Sequence, residues 1–167
     1  MEKITYKGWK DCTRVSNALV DLVVLGEAGP RIIRFGFVGE ENEFREFPDL
    51  LERGDSGAWH VYGGHRLWHA PEHLVRTYAP DNSPVEVRDC GDFVRTIQPV
   101  EKSTGIRKEM DIHLHPSRPS LTFLIPSRIA RRTSSSGIPV PPCRTSSVST
   151  AAASSRSLSK WISGLPS

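Results

Sequence analysis

Residues 62–73 read Tyr-Gly-Gly-His-Arg-Leu-Trp-His-Ala-Pro-Glu-His, the densest run of reactive side-chain types in the chain. Gly63 and Gly64 permit a tight backbone turn and a close approach to a ligand. Imidazoles, a guanidinium, an indole and a carboxylate follow within a few positions, and that set suits a sugar pocket. Trp68 can stack on the apolar face of a pyranose ring, and Arg66 can fork onto hydroxyl or ring oxygens. His65 or His69 can shuttle a proton near neutral pH, which makes them the candidate catalytic residues. Tyr62 and Glu72 complete the candidate binding set with Arg66 and Trp68. A packing role, with the Trp plugging a core and the Arg capping carbonyls, stands beside the chemical one for each of these residues.

Two metal readings compete for the same stretch. His69-Ala70-Pro71-Glu72-His73 has the HxxEH spacing of some zinc proteases. That spacing works only on a helix, where both His project from one face. Pro71 is tolerated only in a first helical turn, which leaves His69 outside the helix. A third ligand on a following helix is missing. A looser site would join His60, His65 or His69 to His113 or His115, which lie two apart on one strand face. Pairs of that kind more often face solvent. Cys12, Cys90 and Cys143 are far apart and form no CxxC pair, so neither a disulfide framework nor a thiolate zinc site is indicated. No metal or other cofactor is expected.

The elements that must position these groups read as strands. Residues 13–25 form two short strands about a turn at Asn17, the second β-branched and nearly all apolar. Residues 26–30 make a turn, 31–38 a strand, and 43–47 an amphipathic strand alternating charge with Phe. Residues 48–53, with Pro at the start and Gly54 past the end, suit one or two helical turns. Residues 55–81 have no clean period and read as a long structured loop region, where chemistry concentrates. Strands follow at 84–88, 92–98, 105–115 and 121–125. The spacing is that of antiparallel meanders without a long helix, so the predicted fold class is all-β.

The text then changes. Asp111 is the last acidic residue of the 167, and residues 127–167 hold 13 Ser, six Lys or Arg and a single aromatic, Trp161. The formal charge is −3 over residues 1–126 and +6 over 127–167. So little large apolar side chain cannot offset the entropy of ordering a backbone, and residues 127–167 are expected to be a disordered tail. The abruptness of the change suggests out-of-frame sequence. Residues 1–126 would then be the part that folds. The overall pI near 8.9 resides in the tail, and its basic residues lack interleaved aromatics, so no specific nucleic-acid partner is expected. Charges occupy the start of the chain where a signal peptide needs an apolar run, and no run approaches a membrane span. A cytoplasmic protein without membrane partners is the expectation.

Three segments together carry a resemblance. Gly29-Pro30-Arg31-Ile32, the Tyr-Gly-Gly-His-Arg-Leu-Trp-His-Ala-Pro-Glu block and Tyr78-Ala79-Pro80-Asp81-Asn82 resemble uncharacterised bacterial relatives of the aldose 1-epimerases. These belong to the galactose mutarotase-like group, and the resemblance spans residues 7–123. It implies a large antiparallel β-sandwich with a pocket for an aldose, or an aldose-containing carbohydrate, on one concave sheet. Enzymes of the group open and close the sugar ring with an acid, usually His, and a carboxylate base. His65 or His69 would supply the acid. The base lies far toward the C-terminus, beyond what this chain contains, and the enzymes are much longer. The expectation is therefore the N-terminal portion of an aldose 1-epimerase-like, carbohydrate-binding sandwich, truncated and incomplete as a catalyst. The alternative is a non-catalytic β-sandwich module for a polysaccharide or protein partner. A sandwich cut short would leave inner-face residues such as Phe35 and Phe37 without an opposing sheet.

Overall fold

The computed structural model describes residues 1–47, 58–68 and 70–125, together with the backbone of 151–153. Among them, antiparallel strands build two five-stranded sheets. The first runs in chain order, β1 (Glu2–Tyr6), β2 (Trp9–Ser16), β3 (Val20–Leu25), β4 (Arg31–Phe37) and β5 (His65–Arg66). The second contains β6 (Glu86–Asp89), β7 (Val94–Ile97), β8 (Glu109–Leu114), β9 (Leu121–Leu124) and β10 (Ala151–Ala153), again with neighbours in sequence paired. A single four-residue helix, α1 (Leu74–Thr77), interrupts the strands among the described residues. No described helix is long and apolar enough to cross a membrane.

Strand β3 shows why the sheets associate. All six of its residues are buried. Val20, Leu22 and Val24 point to one side, where they meet Ile32 and Phe35 of their own sheet and Val94, Met110, Ile112 and Leu121 of the other. Val23 and Leu25 point to the opposite side, toward Trp9, Cys12, Ala28, Ile33 and Tyr62. Burying each such Val or Leu stabilises the fold by roughly 1.5–3 kcal/mol. The β3–β4 register slips between Val23 and Val24, whose partners are Arg34 and Ile32. The residue left over, Ile33, turns to the Tyr62 side while Ile32 enters the layer between the sheets. Asp21, buried on the same strand, is held by Arg14 and Arg34 at 2.9 Å each.

The alternation continues in the second sheet. Inward come Val94, Met110 and Ile112; outward come Arg95 and Asp111, directly opposed across β7 and β8. Arg95 donates to both Asp111 oxygens, at 2.6 and 2.7 Å, the forked geometry that makes a buried pair tolerable. Asn17 ties the sheets at one end. Its side-chain oxygen accepts from the Leu19 and Val20 amides, and its amide donates to the His115 and Arg118 carbonyls.

Several expectations need correction. Strand β1 and the first half of β2 lie upstream of the first strand read from sequence. Residues 43–47 are not a ladder strand; they contribute only a bridge, Glu46 to Gly63. Asn42 is the reason. Its side chain accepts from the Phe35 and Phe44 amides and donates to the Ile33 carbonyl, replacing the ladder bonds at that edge. Phe35 does not lack a covering sheet, being 7% exposed within the inter-sheet core, whereas Phe37 is 46% exposed. The expected helical turns at 48–53 lie outside the described residues, as does the tail apart from the backbone of 151–153, which pairs with β9.

Candidate functional site

The glycine pair sets the turn that leads into β5. Gly63 and Gly64 have φ of +87° and +71°, a left-handed backbone that most side chains resist. Their missing side chains admit neighbouring backbone, not ligand. A Cβ on Gly63 would lie 2.2 Å from the Arg45 carbonyl oxygen, and one on Gly64 would lie 2.2 Å from that of Ile32. The turn delivers His65 and Arg66 as β5 alongside β4, with Ile32 opposite His65 and Arg31 opposite Arg66. Strand alternation then sends the two side chains to opposite faces.

His65 goes inward, to the second sheet. Its ring lies flat on Phe123 of β9, with centroids 4.4 Å apart and planes 7° from parallel. Nδ1 is buried without a hydrogen-bond partner. Desolvation, reinforced by the Arg31 charge, lowers its pKa below the ordinary imidazole value, so the ring is neutral at pH 7. A neutral imidazole can accept a proton but is a weak acid.

Arg66 goes outward, beside Arg31, a like-charge cross-strand pair that would repel. Asp81, with a side chain 0% exposed, bridges the two and offsets their repulsion: Oδ2 accepts from Arg66 Nε at 2.7 Å and from Arg31 Nη2 at 3.2 Å. Arg66 also donates to the Thr77 carbonyl at 2.7 Å, and Arg31 to that of Gly63. Aromatic rings sandwich the cluster. Arg66 lies over Trp59, and Arg31 over Tyr62. Trp59 meets Tyr78 edge-on at 5.3 Å, and Tyr62 meets Trp9 edge-on at 5.2 Å. Burial pulls Arg31 below the usual guanidinium pKa while Asp81 opposes the shift. Tyr62 is 2% exposed and its pKa is raised by the same desolvation, with Asp81 adding to it.

The sequence-nominated residues thus separate. Arg66 and Tyr62 are engaged in this buried cluster, and His65 sits between the sheets. Trp68 presents an indole 50% exposed, and Glu72, also exposed, accepts from the Tyr78 hydroxyl at 2.5 Å. That bond raises the Tyr78 pKa. His69 lies outside the described residues. His73 precedes α1 as its N-cap, accepting from the Val75 amide, so the helix begins beyond both His of the HxxEH spacing. Among the described residues the looser metal site does not assemble around His65 and His113. Phe123, on which His65 stacks, is paired with inward-facing Ile112, whereas His113 points from the opposite face and stacks on Phe93. No group of three or more metal-ligating side chains occurs among the described residues.

Asp81 and Trp59 were not nominated from sequence. A signal existed for the first: Arg31 opens a strand whose other residues, Arg34 apart, are apolar or glycine, and a buried guanidinium requires an acid from somewhere. Nothing in the local pattern distinguishes Asp81 from the other carboxylates as that acid. No protein-family model, curated protein or solved structure matches this chain.

Proposed function

We propose that this chain is a carbohydrate-binding protein of the aldose 1-epimerase-like kind, a galactose mutarotase-type sandwich that takes an aldose against residues 58–82. The observation that carries the reading is Trp68. A half-exposed indole follows, two residues on, a guanidinium fixed by Asp81 and the Thr77 carbonyl, so a stacking platform is presented from anchored backbone. Little ordering entropy would then be lost on binding. Glu72 and Tyr78 offer a carboxylate and a phenol in the same stretch for sugar hydroxyls. The lowered pKa of His65 favours a second reading for the chemistry, a module that binds without turnover, because an acid for ring opening would have to come from His69.

Titrating the full chain with galactose and glucose, while following the Trp68 indole N–H resonance, tests the binding reading. A saturable shift at millimolar sugar is the expected result, with accompanying shifts of the Arg66 and Leu67 backbone amides that are lost in Trp68→Ala. No shift with either aldose refutes it. Polarimetry separates the two chemistries: mutarotation that disappears in the His65→Ala, His69→Ala double variant identifies an enzyme, and binding without mutarotation a module.

A further inference from the structure

A second feature of the surface has the form of a ligand site, and its lining does not include Trp68. An open cleft of about 750 Å³ runs beside sheet one, where the end of β1, Arg34 of β4 and residues 41–46 meet. That volume is within the usual range for small-molecule sites. We infer that this cleft is a second saccharide site, taking a neutral, polyhydroxylated ligand of monosaccharide size; the assignment rests on the carbohydrate reading above.

Three observations converge. First, the charged lining is balanced: Lys7, Arg34 and Arg45 against Glu41, Glu43 and Glu46. Interleaved cations and carboxylates offer donors and acceptors to hydroxyls without selecting a charged ligand. Second, the floor is organised around Glu46. Its Oε2 accepts from Lys7 Nζ at 2.5 Å and from the Tyr6 hydroxyl at 3.3 Å. Those bonds fix a carboxylate whose side chain stays 15% exposed in the cleft lining, where a ligand hydroxyl can reach it. Arg34 is likewise immobilised, by Asp21 and by the Phe37 and Glu40 carbonyls. Third, the backbone is strained to place Lys7. Lys7 and Gly8, with φ of +43° and +86°, form the two-residue turn between Tyr6 and Trp9. Turns with both central residues at positive φ favour Asn, Asp or Gly in the first position. A lysine held there, with its ammonium on Glu46, is an outlier of the kind that collects at binding sites.

The test uses the ¹⁵N-labelled full chain titrated with methyl galactoside, galacturonate and galactosamine. Methyl galactoside should shift the Tyr6, Lys7 and Glu43 to Glu46 amides, in Trp68→Ala as in the parent. Glu46→Gln, which keeps the shape, should weaken that response roughly tenfold, and Tyr6→Phe should weaken it less, since the phenol donates one long bond. Shifts at Trp68 with none in the cleft overturn this site and leave the carbohydrate reading intact. Silence at both places overturns both. A response to galacturonate or galactosamine more than about tenfold tighter than to methyl galactoside overturns the neutral-ligand assignment.

Discussion

Gly64→Ala tests whether the glycine pair serves the fold or a ligand. The substitution has two costs in this structure. The left-handed φ of +71° disfavours any L side chain, by roughly 1–2 kcal/mol. The new Cβ would also stand 2.2 Å from the Ile32 carbonyl oxygen and 2.9 Å from the Ile33 Cα, both in the backbone of β4. Backbone cannot rotate aside as a side-chain tip can, so the overpacking adds roughly 1–3 kcal/mol. The expected loss is about 2–5 kcal/mol, a large share of the roughly 5–15 kcal/mol by which domains are stable. Gly39→Ala is the control, because Gly39 has φ of +86° but no atom within 4 Å of its would-be Cβ. It should lose only the conformational part. Urea unfolding followed by circular dichroism measures both, and the Gly64 variant should have the lower midpoint by roughly 1 M. Equal losses, within about 0.5 kcal/mol, would show that the close approach to β4 is not what Gly64 provides.

Asp81→Asn leaves Arg31 and Arg66 facing each other without a counter-charge and should cost roughly 3–5 kcal/mol in urea unfolding; a loss under 1 kcal/mol would mean the cluster is not electrostatically closed by Asp81. His65 and His113 both have lowered pKa values, so the unfolded chain binds their protons more readily than the folded one. Their contribution is present above about pH 6.5 and is lost as pH falls below it, so thermal stability should drop from pH 7.5 to 5.5, and less steeply in His65→Gln. The Cys12 thiol, buried and pushed up to about 11 mainly by desolvation, should resist iodoacetamide at pH 8 until urea unfolds the chain, as read by mass spectrometry of its peptide.

The sequence by itself determined the all-β class and most of the strand positions, because those are statements about period. Alternating and β-branched runs at 20–25, 31–37, 94–97, 109–114 and 121–124 leave few alternatives to strands. Strand β1 was less legible, since its turn places a lysine where the turn type favours Asn, Asp or Gly. The site divides in the same way. Side-chain type marked residues 62–73 as chemically capable, but type does not say which way a side chain points. Only the β4–β5 pairing sends His65 inward to Phe123 and Arg66 outward to Asp81. The glycines show the limit most directly: a sequence announces that a backbone must come close to something, and only the tertiary structure shows that for Gly63 and Gly64 the something is the chain itself. Long-range contacts of this kind depend on where distant segments are brought by folding, a quantity that no local pattern encodes.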